Sequence, residues 1–382
     1  MKARLILWDM DGMGEKWVNS NIHSDRVNIV QIIPSYEKNI QLYNGEIDLL
    51  LVAAQSQYDE IISMLENVCF PCDKVVFIYE IFSWYQKFDQ AVYLLKDFPG
   101  SMRRLVFWLY ECKQKDYLIC KVEELTFIAS GTDEYIMPKM LRDGQVWSAD
   151  EMTVFYKLAH KYYELQDDEI GYFLDLGANI GTTSIYFRKK LDENVKIIAF
   201  EPDVRNNRLL HINMQLNGLA DESLVETYGL SNHSEKKLLY YDENNPGGTS
   251  LIRKSSNQAT EVALIALDDY FADEQLDAAK IKYIWIDTEG FEPWVVGGAR
   301  NILKYNDIPL YMEFNPYLWN KEGVFHEIIF SLQEVGYTGY IMVQEYMKDH
   351  KSVLPLDDLW TFQAASRDYI RDIFLIKGKE KN

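Results

Sequence analysis

Apolar and polar positions change rhythm along the chain. Over residues 1–80, short apolar runs at 5–8, 27–33, 48–53 and 74–79 alternate with polar stretches, and residues 58–68 carry a helical period. Runs of that length predict strands, and their alternation with helices predicts a parallel sheet, a small Rossmann-like domain. Residues 81–165 form a helix-rich aromatic connector containing Phe82, Trp84, Tyr85, Tyr93, Phe107, Trp108 and Tyr110. Aromatic residues at helical spacing predict packing rather than a ligand box. Ser148 followed by Glu151 has the spacing of a capping box and opens a helix running through Phe155 and Leu158.

From residue 172 the alternation strengthens. Strands are expected at 172–176, 196–200, 224–228, 283–287, 310–314, 339–343 and 372–376, with helices at 182–191, 204–217, 293–304 and 324–335. The stretch joining the last two strands allows antiparallel pairing. Residues 166–382 therefore predict an α/β fold with a doubly wound seven-stranded sheet, whose ligand sits at the carboxyl ends of the central strands.

A length of 382 residues fits two domains. With 39 Lys+Arg against 59 Asp+Glu the net charge is −20, which argues against a duplex nucleic acid as partner and says little about chemistry. The apolar run before Asp9, Leu5 to Trp8, is only four residues long, too short for a signal peptide, and no run approaches the ~18 of a membrane span. A cytoplasmic protein is expected. Cys69-Phe70-Pro71-Cys72 has no second ligand pair, since Cys112 and Cys120 lie far off, so no metal site is assigned to it. Gly12-Met13-Gly14 begins like a dinucleotide fingerprint, but Trp17 stands at the third glycine position and a tight turn is the reading.

The chemistry concentrates where strands end in the second half. Asp175-Leu176-Gly177-Ala178-Asn179-Ile180-Gly181 runs from the first strand into a helix. Gly177 permits the turn and close ligand approach, and Asp175 is placed to receive a cationic amino group. Phe200-Glu201-Pro202 ends the second strand; Glu201 suits a ribose diol and Pro202 starts the next helix. An acid before the first glycine, and Asn179 in place of the second, disfavour a pyrophosphate and favour a sulfonium cofactor. Asp287, Glu289 and Glu313 emerge on one sheet edge near where a reacting methyl should lie.

These residues resemble the FkbM-type family of S-adenosylmethionine-dependent methyltransferases. The resemblance covers residues 172–315 and is carried by the Asp175–Gly181 turn, Phe200-Glu201-Pro202, Leu267-Asp268-Asp269, and Ile286-Asp287-Thr288-Glu289-Gly290 followed by Gly297-Gly298-Ala299. It implies a class I methyltransferase sheet, S-adenosyl-L-methionine held by Asp175, Gly177, Asn179, Gly181 and Glu201, and Asp287 near its methionine end. It also implies transfer to a hydroxyl of a sugar or natural product. The sequence departs from the family at Phe291-Glu292-Pro293-Trp294 and at Gly297-Gly298, away from the cofactor turn.

Within that reading Asp287 is the first candidate general base, with Glu289 and His233 behind it. Asp287 with Glu289 or Glu313 is alternatively a seat for a hard cation. Ser231 and His233 follow the third strand, where adenine contacts are expected, and Pro202 flanks the same side. Glu313, Asn315 and Trp319 are assigned to substrate, Trp319 and Tyr317 as sugar-stacking rings. Residues 242–250 read as a substrate lid. Two other classes stay open, an NAD-dependent oxidoreductase and a non-catalytic glycan-assembly scaffold.

Overall fold

The computed structural model describes residues 3–10, 12–21, 27–34, 47–54, 61, 64–65, 67–68, 70, 75–78, 117–131, 133, 135–166, 168–242, 246–254, 257–350, 352–367 and 369–378. The Cys69/Cys72 pair, Cys112, most of the helix expected at 58–68 and the aromatic residues of 81–116 lie outside them. The chain divides into two compact units, Met1–Gln145 and Val146–Asn382.

In the first unit, strands β1 (Ala3–Asp9), β2 (Val27–Pro34), β3 (Leu49–Ala53) and β4 (Val75–Phe77) form a parallel sheet in the order β2-β1-β3-β4. Helix α1 (Gly14–Asn21) follows β1, and Asp9 accepts from the backbone N–H groups of Gly14 (2.7 Å) and Glu15 (3.1 Å). A carboxylate thus already occupies the donors that a pyrophosphate would need. A Cβ on Gly14 would meet Ala53 Cβ at 2.7 Å, so this glycine serves close packing. The unit also contains a hairpin, β5 (Tyr117–Val122) with β6 (Leu125–Ser130), where the sequence suggests a helical connector. Helix α2 (Ile136–Asp143) closes it, capped by Asp133.

Helix α3 (Ala149–Tyr162) belongs to the second unit, although the sequence assigns it to the connector. Its buried Phe155 meets the ring edges of Tyr283, Trp285, Tyr311 and Phe374 at 5.7–6.0 Å, and those rings come from three sheet strands. Burying such rings is worth several kcal/mol, which fixes the helix to the sheet. Ser148 does not form the expected capping box: it is left-handed (φ 57°) and makes no side-chain cap bond.

The sheet of this unit contains β7 (Gly171–Leu176), β8 (Val195–Phe200), β9 (Ser223–Glu226), β13 (Ile281–Ile286), β14 (Leu310–Phe314), β15 (Tyr337–Met342), β16 (Leu354–Pro355) and β17 (Arg371–Lys377). Its order is β16-β15-β17-β14-β13-β7-β8-β9, with β17 antiparallel to both β14 and β15. Seven of the eight are the expected strands; β16 is a two-residue addition at the edge. The chain reverses between β7 and β13, where β7, first in sequence, stands between β8 and β13. That is the switch point of a class I methyltransferase-like Rossmann sheet.

Helices follow the strands: α4 (Thr182–Tyr186) widening into a π turn, α5 (Val204–Leu216), α6 (Leu267–Asp273), α7 (Glu292–Gly298), α8 (Arg300–Tyr305), α9 (Pro316–Lys321), α10 (Phe325–Glu334) and α11 (Val343–Asp349). The single helix expected at 293–304 is two, broken at Ala299 (φ −105°, ψ 16°). Asp268 accepts from the backbone of Asn301 (2.8 Å) and Ile302 (2.9 Å), so the Leu267-Asp268-Asp269 motif caps the second helix. A Cβ on Gly298 would fall 2.0 Å from Ser231 O, which explains the paired glycines there. The sequence pattern misses a second sheet, β10 (Gly229–Leu230), β11 (Glu235–Tyr240) and β12 (Ala259–Ile265), in the order β10-β12-β11.

Candidate active site

At the switch point three strand ends meet. The N–H groups of Gly177 (3.1 Å) and Ala178 (2.9 Å) donate to Phe200 O, and Asp287 N donates to Leu176 O (3.0 Å). Gly177 has φ 100°, and a Cβ there would stand 1.9 Å from Asp287 O, so only glycine fits. Asn179 is left-handed (φ 49°), and its N–H donates to Glu201 Oε2 (2.9 Å) while Asp203 N donates to Oε1 (2.8 Å). Asn213 Nδ2 on α5 donates to Ile180 O (2.7 Å), and Asn207 Nδ2 donates to the carbonyls of Glu201 (3.1 Å) and Glu226 (2.9 Å). Neither asparagine stands out in the sequence, since an Asn on a helix reads as surface.

A pocket opens over this junction. Its floor is Gly177, Asn179 and Glu201. One wall is apolar: Phe200, Pro202, Leu230, Leu239, Leu251 and Phe291. Gly247 and Thr249 line it from the segment expected as a lid, of which residues 243–245 lie outside the description, and Asp287, Thr288 and Glu289 close one end. Its apolar lining with a few convergent polar groups is that of a small-molecule or cofactor site. Asn179 Oδ1 is buried in this floor without a partner, a group that a ligand donor would satisfy.

The structure places the expected residues unevenly. Gly177, Asn179, Glu201, Pro202, Asp287 and Glu289 share the pocket. Asp175 does not line it. It is buried beside the turn, Ser184 Oγ donates to it at 2.5 Å, and burial pushes its carboxyl up to about 7. Gly181 serves packing: a Cβ would meet Leu210 Cδ1 at 2.5 Å. Ser231 is buried with its hydroxyl on Glu235 Oε1 (3.1 Å), off the pocket. His233 is exposed, its Nδ1 2.7 Å from Asn232 Oδ1, and does not line the pocket. Trp319 is only 1% exposed, its Nε1–H donates to Glu292 Oε2 (3.3 Å), and it packs edge-on against Phe314, so it has no face free for a sugar. Tyr317 packs against the same core. Asn315 is buried and caps α9 through Leu318 N (3.3 Å).

Burial pushes the Glu201 carboxyl up to about 8, with Asp203 and Asp175 adding repulsion against the two backbone donors. Asp287 is held well above the usual carboxylate range, first by burial and then by the charges of Glu289, Asp372, Glu292 and Asp175. Glu289 is raised less because the Arg253 guanidinium pairs with it. Glu292, in the run where the sequence departs from the family, is fully buried. It accepts from Thr288 N (2.9 Å), Thr288 Oγ1 (3.0 Å) and Gly290 N (3.1 Å), and so holds the turn that presents Glu289 in a left-handed conformation (φ 55°). With Phe291 lining the pocket away from the glycine turn, that departure bears directly on the site. Among the described residues no three Asp, Glu, His or Cys side chains are gathered so as to hold one metal ion.

The fold and site define a class I methyltransferase-like domain. Residues 175–338 match the family described as the methyltransferase FkbM domain. The methyltransferase sdnD of Sordaria araneosa is 32% identical over 108 residues, 28% of this chain and 41% of the relative, so the chain spans less than half of that protein's length. Among solved structures, the FkbM methyltransferase of Methylobacillus flagellatus KT aligns with a TM-score of 0.35 and 13% identity, covering 98% of this chain and 90% of that one. A SAM-dependent O-methyltransferase of Thermotoga maritima aligns with a TM-score of 0.34 and 11% identity, covering 69% and 79%. No helix among the described residues is long and apolar enough to cross a membrane.

Proposed function

We propose that the protein is an S-adenosylmethionine-dependent O-methyltransferase acting on a hydroxyl of a glycan, a sugar-containing lipid or a related natural product. The observation that carries this is the single unit formed by Gly177, Asn179 and Glu201, which opens at one end onto Asp287. The residues fit the cofactor. The apolar wall suits adenine, Glu201 keeps lone pairs for a ribose diol beyond its two backbone donors, and the orphaned Asn179 Oδ1 awaits a donor. When bound, S-adenosylmethionine supplies an electrophilic methyl: the acceptor oxygen forms its bond to carbon as the carbon–sulfur bond breaks, and the electron pair stays on sulfur.

The chain's own task is alignment and proton removal. Alignment of the reactants supplies much of the rate. Asp287, half-buried and held above the usual carboxylate range by burial and neighbouring acids, takes the hydroxyl proton. A base tuned in this way contributes roughly 10²–10⁴ in rate. Glu289 is paired with Arg253, which opposes the rise that burial causes and makes it the weaker proton acceptor.

Calorimetry with S-adenosylhomocysteine and NADH, followed by labelled-methyl transfer to glycan and lipid extracts, tests this. The homocysteine product is expected to bind and NADH not; Asp287→Asn is expected to keep binding while losing about 10²-fold or more in transfer. Tight NADH binding without the methyl-donor product overturns the cofactor, and binding without any transfer points to a scaffold.

A further inference from the structure

The acids at the sheet edge continue beyond the cofactor pocket. Ile286 pairs with Met312 and Glu313 with Asp372, so Asp287, Glu313 and Asp372 follow one another on three neighbouring strands, spaced at about 4.8 Å. They lie two residues on from Trp285 and Tyr311 and two before Phe374, hence on the α3 face of the sheet. Asp287 lines the cofactor pocket; Glu313 and Asp372 lie past it. Glu151, in the first turn of α3, adds its charge at Asp372.

The charges facing this row are mostly spoken for. Arg253 is paired with Glu289. Arg371 donates to Ile370 O (2.7 Å) and lies over the Tyr369 ring at 4.6 Å. Glu292 is satisfied by Thr288, Gly290 and Trp319, and Asp372 by the neutral side chains of Gln344 and Tyr311. Glu313 differs: its Oε2 is shut off from solvent and has no hydrogen-bond partner. Leaving a carboxylate oxygen so is costly; Glu313 as a residue is half-buried rather than closed off, so a cationic donor at its other oxygen would offset that cost. The row is spread over three strands and does not converge at metal-ligand spacing. An ammonium, with three N–H donors on one compact charge, matches a spread row of carboxylates.

We propose that the methyl acceptor carries a protonated amino group that docks against Glu313 and Asp372, leaving a neighbouring hydroxyl of the same molecule at Asp287. This rests on the methyltransferase reading, and it narrows the acceptor to an amine-bearing small molecule such as an amino sugar. An acceptor with a carboxylate or phosphate near its reacting hydroxyl would be repelled by the same row.

The full chain, first saturated with S-adenosylhomocysteine, is titrated with three probes on one ring, glucosamine, glucose and glucuronate, at neutral pH. Glucosamine is expected to bind about tenfold or more tighter than glucose, with glucuronate weakest. Glu313→Gln is expected to cut the preference to threefold or less while homocysteine-product affinity stays unchanged. Equal binding of the three, a preference for glucose or glucuronate, or no glucosamine binding overturns the proposal. Failure of S-adenosylhomocysteine to bind at all sinks the cofactor reading instead, so the two failures are distinguishable.

Discussion

The backbone N–H of Asn179 donates to Oε2 of Glu201 across 2.9 Å, joining the glycine turn after β7 to the acid that ends β8. Glu201 therefore shapes the pocket floor as well as offering lone pairs to a ligand. Glu201→Ala is expected to weaken S-adenosylhomocysteine binding by ~1–3 kcal/mol, the range for leaving a buried polar partner unsatisfied, and Glu201→Gln by less. Calorimetry reads this directly, and unchanged affinity in both variants would remove Glu201 from the cofactor.

Two glycines with positive φ separate strain from close approach. Gly177 (φ 100°) faces Asp287 O, 1.9 Å from where a Cβ would be, whereas Gly218 (φ 68°) has nothing within 4 Å. Gly218→Ala carries only the left-handed penalty of about 1–2 kcal/mol. Gly177→Ala adds a collision with backbone between two central strands, and is expected to cost at least about 2 kcal/mol more. Denaturant midpoints of the two variants give the comparison; similar losses would mean that the β7 and β13 ends separate easily.

Burial raises Asp175 to about 7 and Glu201 to about 8, above the range near 4 that both take in the unfolded chain. Between those values the folded protein binds more protons than the unfolded one, so stability falls as pH rises from about 4 to about 8. Urea unfolding across this range is expected to show a loss of at least about 1.4 kcal/mol, the equivalent of one pKa unit. Glu201→Gln, which has no proton to lose, is expected to flatten the upper half of the slope. A profile that rises with pH contradicts the assignment.

The sheet and the pocket floor were legible because local signals agree there. Glycines with positive φ, an acid 20 residues beyond Gly181 and buried apolar runs each point to the same switch point. The substrate side was less legible because its residue types have two uses. Trp319 and Asn315 look like ligand groups in sequence, but the aromatic joins the core and the amide caps a helix. His233 follows the third strand in sequence, yet the Gly229–Leu230 strand turns its loop outward. Residues 235–240 group Glu235, Lys236 and Lys237 ahead of Leu238, Leu239 and Tyr240, and 259–265 place Thr260 and Glu261 before an apolar run, so neither shows the strict alternation that marks a half-buried strand. Glu292 and Arg253, which set the turn and charge of Glu289, act through contacts 4 and 36 residues apart in sequence, and no local pattern announces them.

Arg253 ties the segment over the pocket to the end closed by Asp287, Thr288 and Glu289. Its guanidinium donates to Glu289 and to Gly248 O (3.0 Å), and Ser250 Oγ donates to Glu289 O (2.9 Å) while accepting from Ile252 N (3.2 Å) and Arg253 N (3.1 Å). The ion pair is partly exposed, so its own strength is at most about 1 kcal/mol. The larger effect is on the segment, because Gly247, Thr249 and Leu251 supply pocket wall only while it is held down. Arg253→Ala is expected to lower S-adenosylhomocysteine affinity by about three- to tenfold, and to speed amide exchange across residues 247–253. Lysine keeps the charge opposite Glu289 but lacks the fork that also reaches Gly248, so Arg253→Lys should fall between the two. If alanine changes neither affinity nor exchange, the pair is a surface contact and the segment is held by its own turn.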